Sequence, residues 1–311
     1  MKIRMRILNV GRCTLSVCAL SAMLAGCRGP QSPVPGPAAI DPAVSSGVDL
    51  LYAGTVNDLF VFSYPQVKFI SEISLPSGGG GQVCSDSSGD VFAPVTNDTV
   101  EYAHGGTQPI ATLKSPAGFS PYGCAVDPKT GNLAVTNFAV THGKAAIYQG
   151  AQGSARVYTD REFLEFLYCT YDDDGNLFLS GFTSKGYSLA ELPAGQAAFT
   201  NITVSAQVGG YGIQWDGQYV TLGRHHGSGI LYRVAITGAH GKVVGVTHLD
   251  HSKERSTENQ YWIQNNIVIW PTGNFSGHLG LWNYPSGSLR KIIHRKFVDG
   301  VYGATVSVAA K

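Results

Sequence analysis

Seven polar residues of the sequence could bind a ligand or transfer a proton, because their amide, carboxylate, imidazole and guanidinium groups serve those roles. They are Asn97, Asn137, His142, Arg224, His225, Glu258 and Asn274. The spacing of the histidines matches no zinc motif, and the glycines around His225 are typical of an exposed loop tip. A serine nucleophile elbow, a phosphate-binding loop and a Cys-x-x-Cys pair are all absent from the sequence. The seven residues therefore predict a ligand-binding surface without a recognisable catalytic motif.

Three cysteines, Cys84, Cys124 and Cys169, occupy one equivalent position in three successive repeat units. In the other units this position holds Ile213, Ile263 and Ala304. Thiolates in such an arrangement could form a soft metal site. A position shared by Cys, Ile and Ala nevertheless favours small apolar packing, and an odd number of cysteines leaves at least one unpaired in a monomer. We expect packing here rather than a disulfide.

The scaffold that positions these side chains is a short strand–turn–strand unit that recurs along the chain. In its clearest copy, residues 121–135, apolar runs flank the turn sequence Asp-Pro-Lys-Thr-Gly-Asn. The equivalent residues of the six copies are Cys84, Cys124, Cys169, Ile213, Ile263 and Ala304. Their spacing of roughly 40 to 50 residues suits one four-stranded sheet per unit, which is the blade of a propeller. The sequence predicts an all-β, six-bladed β-propeller of four-stranded antiparallel blades.

The two ends of the repeat region complement each other. The last unit stops after one strand, whereas the first unit begins with what reads as a second strand. We therefore expect residues 301–308 to pair beside residues 50–53, which would close the ring and remove both free edges. Residues 48–311 then form a single domain. In a propeller, the loops between second and third strands share one face with the links between blades, and the seven polar residues fall there.

The amino-terminal segment is typical of an export signal, with four basic residues followed by the uncharged run 13–26. This run is shorter than the roughly 20 residues that span a bilayer. It ends in Leu-Ala-Gly-Cys27, which resembles the lipobox of bacterial lipoproteins. The resemblance implies a signal peptide over 1–26, a lipid on Cys27 that attaches the protein to the membrane, and, with Arg28 next, an outer-membrane destination facing the periplasm or cell surface. Residues 27–47 are rich in proline and predict a tether.

The charge of the chain argues against nucleic acid as a partner. The 22 Lys and Arg residues nearly balance the 21 Asp and Glu residues, and the segment 1–26 holds four of the basic residues and none of the acidic ones. The remaining basic residues are scattered singly, so no patch could neutralise a phosphate backbone.

The unit at 122–133, Tyr-Gly-Cys-Ala-Val-Asp-Pro-Lys-Thr-Gly-Asn-Leu, resembles the repeat of the NHL and gluconolactonase-like six-bladed propellers. The resemblance covers residues 48–311 as a rhythm, and only the third and fourth units match closely. It implies one divalent cation such as calcium, held by Glu and Asn or Asp oxygens. By loop position, that ligand set would be Asn97, Asn137, Glu258 and Asn274. The glutamate that the family carries early in its first blade has no counterpart between Asp49 and Tyr64.

From these observations we expect a membrane-anchored extracytoplasmic propeller that acts as a binding or scaffold module for a small-molecule ligand or a protein partner and needs no cofactor. The alternative is a metal-dependent lactonase or esterase-type hydrolase of the gluconolactonase-like group, with the cation on the same face. A third possibility is a purely structural envelope protein with a flat face. Bound cation together with chelator-sensitive turnover of lactones or esters would favour the hydrolase.

Overall fold

The computed structural model describes residues 47–138, 141–205, 210–224, 229–250, 259–272, 277–294, 297 and 300–310. The chain separates into two compact units, Met1–Gly36 and Pro37–Lys311, and the described residues belong to the second. The predicted signal peptide, Cys27 and the tether up to residue 46 lie outside the described residues. Within the described ranges, no helix has the length and apolar character needed to cross a membrane.

Strands make up nearly all the regular structure of the described residues, apart from a short 3₁₀ helix at Gln149–Ala151. The strands before this helix are β1 (Leu50–Gly54), β2 (Asp58–Ser63), β3 (Phe69–Ser74), β4 (Cys84–Ser85), β5 (Val91–Pro94), β6 (Asp98–Tyr102), β7 (Pro109–Lys114), β8 (Pro121–Val126), β9 (Leu133–Asn137) and β10 (Gly143–Tyr148). The strands after it are β11 (Arg156–Asp160), β12 (Phe163–Tyr171), β13 (Leu177–Thr183), β14 (Gly186–Leu192), β15 (Thr200–Val204), β16 (Gly210–Trp215), β17 (Val220–Arg224), β18 (Ile230–Thr237), β19 (His240–His248), β20 (Trp262–Gln264), β21 (Ile267–Thr272), β22 (His278–Asn283), β23 (Leu289–Ile293) and β24 (Gly303–Ser307).

These strands form four four-stranded sheets and one eight-stranded sheet. Sheet 1 has the order β24-β1-β2-β3, sheet 2 contains β4 to β7, sheet 3 contains β8 to β11, and sheet 5 contains β20 to β23. Sheet 4 has the order β12-β13-β14-β15-β19-β18-β17-β16. The all-β, propeller-like fold predicted from the repeats is thereby confirmed.

Sheet 4 departs from the expectation of separate four-stranded blades. Its two antiparallel halves, β12–β15 and β16–β19, join through a parallel pairing of Thr203 with His240 and of Val204 with Gly241. Gly241 allows this approach, because a Cβ there would lie 3.2 Å from the Val204 side chain and 2.9 Å from that of Val234. Two repeat units thus share one sheet, since their outermost strands come close enough to exchange hydrogen bonds.

The first strands of the successive units contact one another in a closed circle, in the order β24, β4, β8, β12, β16, β20 and back to β24. The circle is completed by β24, which pairs antiparallel with β1 from Leu50↔Ser307 to Gly54↔Gly303. The predicted pairing of the last strand beside the first is therefore confirmed. It covers an edge of β1 that would otherwise expose unpaired backbone groups.

The hydrophobic core of the described residues consists of six clusters, each lying between two neighbouring sheets or between the two halves of sheet 4. Strand β1 shows why its sequence is apolar throughout. Leu51 and Ala53 pack towards sheet 5, whereas Leu50 and Tyr52 pack towards sheet 2. Successive side chains of a strand point to opposite sides, so a strand covered on both sides needs no polar alternation.

An aspartate begins the turn between the first and second strands of several units. Asp127 Oδ1 accepts the Lys129 N–H at 2.9 Å, and Asp172 Oδ1 accepts the Asn176 N–H at 2.8 Å. Short Asp side chains favour such turns because they bond to backbone groups two or more residues further on. The turn chemistry predicted from the repeats is confirmed at these positions.

The interpretation of the three cysteines is wrong for two of them. Cys84 and Cys124 form a disulfide with their Cα atoms 5.8 Å apart. Their equivalent positions on the adjacent strands β4 and β8 place them within disulfide range, which the repeat comparison alone did not reveal. Cys169 remains a free, buried thiol and packs between sheets 3 and 4, as predicted.

Candidate functional site

Two opposite faces of the domain carry its connections. We call the first the link face, because it carries the links between sheets and the loops between second and third strands. Its described segments include 75–83, 95–97, 115–120, 141–142, 259–261 and 300–302. The opposite turn face carries the turns between first and second strands and between third and fourth strands. Its segments include 86–90, 127–132, 149–155, 172–176, 193–199 and 216–219.

The structure places four of the seven nominated residues on the link face. Asn97, His142 and Arg224 are exposed and belong to sheets 2, 3 and 4 respectively, so they are spread around the face. Asn137, at the end of β9, is fully buried. The other three, His225, Glu258 and Asn274, lie outside the described residues.

Asn137 has a structural task that its loop position did not suggest. Its Oδ1 accepts the Ser120 N–H at 2.5 Å, which fastens the link before β8 to the end of β9. Its Nδ2 is buried without a hydrogen-bond partner among the described residues. Because the oxygen is already engaged, Asn137 is poorly placed to ligate the cation that the family resemblance implies.

Two glutamines at the link-face end of the first strands were missed by sequence reasoning. Gln260 Oε1 accepts the Val83 N–H at 3.1 Å, so its side chain reaches from the start of sheet 5 to the start of sheet 2. It passes Gly303 of the intervening strand, where a Cβ would lie only 2.9 Å from Gln260 Oε1. The glycine therefore makes room for this crossing.

Gln82 lies beside this crossing and is fully buried. Neither its Nε2 nor its Oε1 has a hydrogen-bond partner in the part of the chain that the structure describes. A buried amide left in this state costs free energy of about 1–3 kcal/mol, so a bound group or water is needed to offset it. The sequence signal was a departure from the repeat, because other units carry Tyr122, Tyr261 and Tyr302 where this unit carries Gln82.

An aromatic shelf adjoins Gln82 on the link face. The rings of Tyr122 and Phe138 stack with centroids 5.0 Å apart, and about half of the Phe138 surface is exposed. The shelf borders the link that leads to Gln82, since a Cβ at Gly80 would lie 2.9 Å from the Tyr122 ring. Gln82, Gln260, Tyr122 and Phe138, which we call the link-face site, combine amide hydrogen bonding with an exposed ring face. This chemistry suits a polar, uncharged group.

Glu165 is a half-buried acidic residue at the link-face end of β12. Burial raises the pKa of its carboxyl, and its Oε2 has no hydrogen-bond partner among the described residues. No group of three or more His, Cys, Asp and Glu side chains that could hold a metal occurs in the described ranges.

The turn face carries cavities between neighbouring sheets, which sequence reasoning did not anticipate. One of about 540 Å³ lies between sheets 3 and 4, and one of about 550 Å³ lies between sheets 2 and 3. A smaller cavity of about 210 Å³ lies between the two halves of sheet 4. The volumes of the two larger cavities fall within the range of small-molecule sites.

Comparison with known proteins identifies the fold only. No family model matches the chain, and no curated protein sequence matches it. A protein of unknown function from Bacteroides caccae matches with a TM-score of 0.61 at 11% identity, covering 84% of this chain and 99% of that one. A chain in a nidogen/laminin complex matches with a TM-score of 0.65 at 13% identity, covering 85% and 100%. Streptogramin B lyase matches with a TM-score of 0.56 at 11% identity, covering 86% and 89%. The TM-scores support a propeller-like fold, whereas identities this low carry no information on function.

Proposed function

We propose that this protein is an exported, lipid-anchored, six-bladed propeller that binds a polar ligand or a partner's polar group at the link-face site. The observation that carries the proposal is Gln82, a fully buried amide with both polar atoms lacking a partner among the described residues. Such an amide is a cost to folding that a bound group with one donor and one acceptor would remove.

The count of six blades follows from treating the halves of sheet 4 as two units. Each of the six core clusters then lies between two neighbouring units. The first strands of the six units contact one another in the closed circle. The pairing of β15 with β19 involves two residue pairs, whereas the pairings within the two halves involve between three and eight. If the halves of sheet 4 are two blades, the β15–β19 pairing is a local contact between them.

The lipid anchor rests on the sequence of residues 1–27 and on the proline-rich segment that follows. We expect labelled palmitate to be incorporated into the wild-type protein and not into Cys27→Ser, and the wild-type protein to sediment with outer membranes. Equal labelling of the two proteins would overturn the anchor. The binding proposal would be unaffected, because its test does not depend on the lipid.

Binding at the link-face site is tested by a thermal-shift screen of polar small molecules and short peptides against wild type and Gln82→Met. The substitution removes both amide atoms and keeps a similar side-chain volume. We expect compounds that raise the Tm of wild type to lose that effect in Gln82→Met and in Phe138→Ala, and to keep it in Gln66→Met, which makes the same substitution at an exposed position of the β2–β3 turn on the opposite face. The proposal fails if every stabilising compound acts equally on all four proteins.

A further inference from the structure

We propose that the cavity between sheets 3 and 4 binds an acidic saccharide, that is, a sugar ring carrying a carboxylate. We call it the turn-face cavity. It lies on the face opposite the link-face site, so this inference goes beyond the proposed function. Its volume of about 540 Å³ is sufficient for one or two sugar rings.

Two basic side chains, Lys129 and Arg156, line the turn-face cavity. Neither forms an ion pair with a carboxylate among the described residues. The carboxylate of Asp127 is already occupied, because Oδ1 accepts the Lys129 N–H at 2.9 Å and Oδ2 accepts the Thr130 hydroxyl. The Arg156 guanidinium lies 4.9 Å from the centroid of the Tyr158 ring, which holds it at the cavity wall. The two cations therefore remain free to bind an anionic group.

The other two cavities of the turn face provide an internal comparison. Asp86, Asp90 and Glu101 line the cavity between sheets 2 and 3, and its lining contains no Lys or Arg. Asp172 and Glu191 line the smaller cavity, again without a basic residue. Burial, followed by the charges of neighbouring carboxylates, raises the pKa of Glu101 and of Glu191. These two cavities disfavour an anion. The lining of the turn-face cavity instead sets Lys129 and Arg156 against Asp127, whose oxygens already accept hydrogen bonds, and Asp174.

Tyr171 supplies independent support for a ligand in this cavity. Its side chain lines the cavity and is only 7% exposed, yet its hydroxyl has no hydrogen-bond partner in the described part of the chain. Burial raises the pKa of Tyr171 well above its ordinary value, so the hydroxyl stays protonated and can donate. A hydroxyl on the wall of a cavity can donate to a group that occupies the cavity.

The rest of the lining explains why a sugar fits better than a bare phosphate. Gln149, Ser154 and Gln196 add two primary amides and a hydroxyl, each able to donate and to accept. Leu177 and Leu192 add an apolar floor. A sugar acid presents hydroxyls to the amides, a C–H face to the apolar floor and a carboxylate to Lys129 and Arg156. A phosphate ion would meet the charges and leave the neutral groups without partners.

The proposal is tested by isothermal titration of the full-length chain, purified in detergent, with digalacturonate. We expect saturable binding that weakens as NaCl is raised from 0.05 to 0.5 M, because screening reduces the attraction between charges. Lactose, a neutral disaccharide, should bind at least about tenfold more weakly. Arg156→Gln, Lys129→Gln and Tyr171→Phe should each weaken digalacturonate binding about tenfold.

Matched controls lie elsewhere on the same domain. Arg161→Gln and Lys144→Gln remove the same charges from positions outside the cavity lining and should leave the affinity unchanged. A Tm within 2 °C of wild type for Tyr171→Phe would show that its weaker binding is not unfolding. The proposal is overturned if neither digalacturonate nor galacturonate binds at 10 mM, if lactose binds equally well, or if the three cavity variants behave like the two controls.

Discussion

Tyr284 donates its hydroxyl to Asp216 Oδ2 at 2.6 Å, although the two residues are 68 positions apart in the sequence. Arg233 Nε donates to the same oxygen at 2.6 Å, and its guanidinium lies 4.7 Å from the centroid of the Tyr219 ring. Asp216 also closes its own turn by accepting the Tyr219 N–H at 2.8 Å. One carboxylate therefore joins a turn of sheet 4 to the start of the β22–β23 turn in sheet 5.

This network predicts a stability that depends on pH. Burial opposes ionisation of Asp216, but hydrogen bonds from Arg233, Tyr284 and the Tyr219 N–H outweigh it and hold the pKa of Asp216 below its usual value. A lowered folded-state pKa gives stability that is present above the unfolded value of about 4 and is lost as pH falls through the folded value. Asp216→Asn should lower the free energy of unfolding by about 2 kcal/mol at pH 7, because it removes the charge that strengthens these hydrogen bonds. In urea titrations the difference should shrink below pH 4.

Asp86→Asn is the matched control for this prediction. Asp86 closes the equivalent turn of sheet 2 by accepting the N–H groups of Ser88 and Asp90 at 2.9 and 2.8 Å, and its carboxylate has no ion pair among the described residues. Its substitution should change the free energy of unfolding by less than about 0.5 kcal/mol. Equal losses in the two variants would mean that turn closure, rather than the network with Arg233 and Tyr284, sets the stability.

The disulfide between Cys84 and Cys124 should be a major contributor to stability. It closes a loop with a sequence separation of 40, for which the chain-entropy relation gives about 4 kcal/mol. The double variant Cys84→Ala/Cys124→Ala should therefore have a free energy of unfolding lower than that of wild type by about this amount. A reductant should destabilise wild type and leave the double variant unchanged in urea titrations. If reductant acts equally on both, the disulfide does not carry this stability.

Cys169 should behave as an inert thiol in the folded protein. Its side chain is buried, and burial raises its pKa far above the ordinary value, so almost no thiolate forms. In a fragment that comprises residues 37–311, kept without reductant, a thiol reagent should label one cysteine, and only after the fragment is denatured. Labelling under native conditions would show that the contact between sheets 3 and 4 opens readily.

Substitution by methionine should affect the free energy of unfolding differently at Gln82 and at Gln260. Gln260→Met removes the acceptor of the Val83 N–H and should cost about 1–2 kcal/mol, because that buried donor is left without a partner. Gln82→Met removes an amide that has no partner among the described residues and should be neutral or stabilising in the ligand-free protein. Chemical denaturation of the two variants measures the difference. A loss at Gln82 matching that at Gln260 would assign Gln82 to folding instead of binding.

Ser307 should be important for closure of the circle. Its hydroxyl donates to the Gly89 carbonyl and lies 2.6 Å from His104 Nδ1, so it joins β24 to sheet 2. Ser307→Ala should lower the free energy of unfolding by about 1–2 kcal/mol and speed amide exchange in β1 and β24. Ser184→Ala, at an exposed loop position, should do neither. Unchanged exchange in Ser307→Ala would place the closing contacts elsewhere.

The sequence predicted those features of the fold that recur locally. Turn aspartates such as Asp127 and the unmatched end strands indicated the blades and their closure, because both follow from short-range patterns. The pairing of β15 with β19 was not predicted, since it depends on how closely Gly241 lets two outer strands approach. The disulfide was missed for a similar reason, because its formation depends on the distance between neighbouring first strands.

Less of the candidate site could be predicted. Loop position alone selected Asn97, Asn137, His142 and Arg224, but it could not show that Asn137 is buried and bonded to Ser120. Gln82 and Tyr171 stand out only through burial and hydrogen-bond partners, which are properties of the folded chain. The repeat pattern held a partial signal, since Gln82 replaces a tyrosine of other units.

The pairing of β24 with β1 also bears on the timing of biosynthesis. Leu50 to Gly54 leave the ribosome well before their partners Gly303 to Ser307 are synthesised. Until then, one edge of β1 stays open to any strand of another chain. Translation products that stop before β24 should therefore aggregate, and a chaperone that shields this edge would protect the nascent protein until β24 has been made.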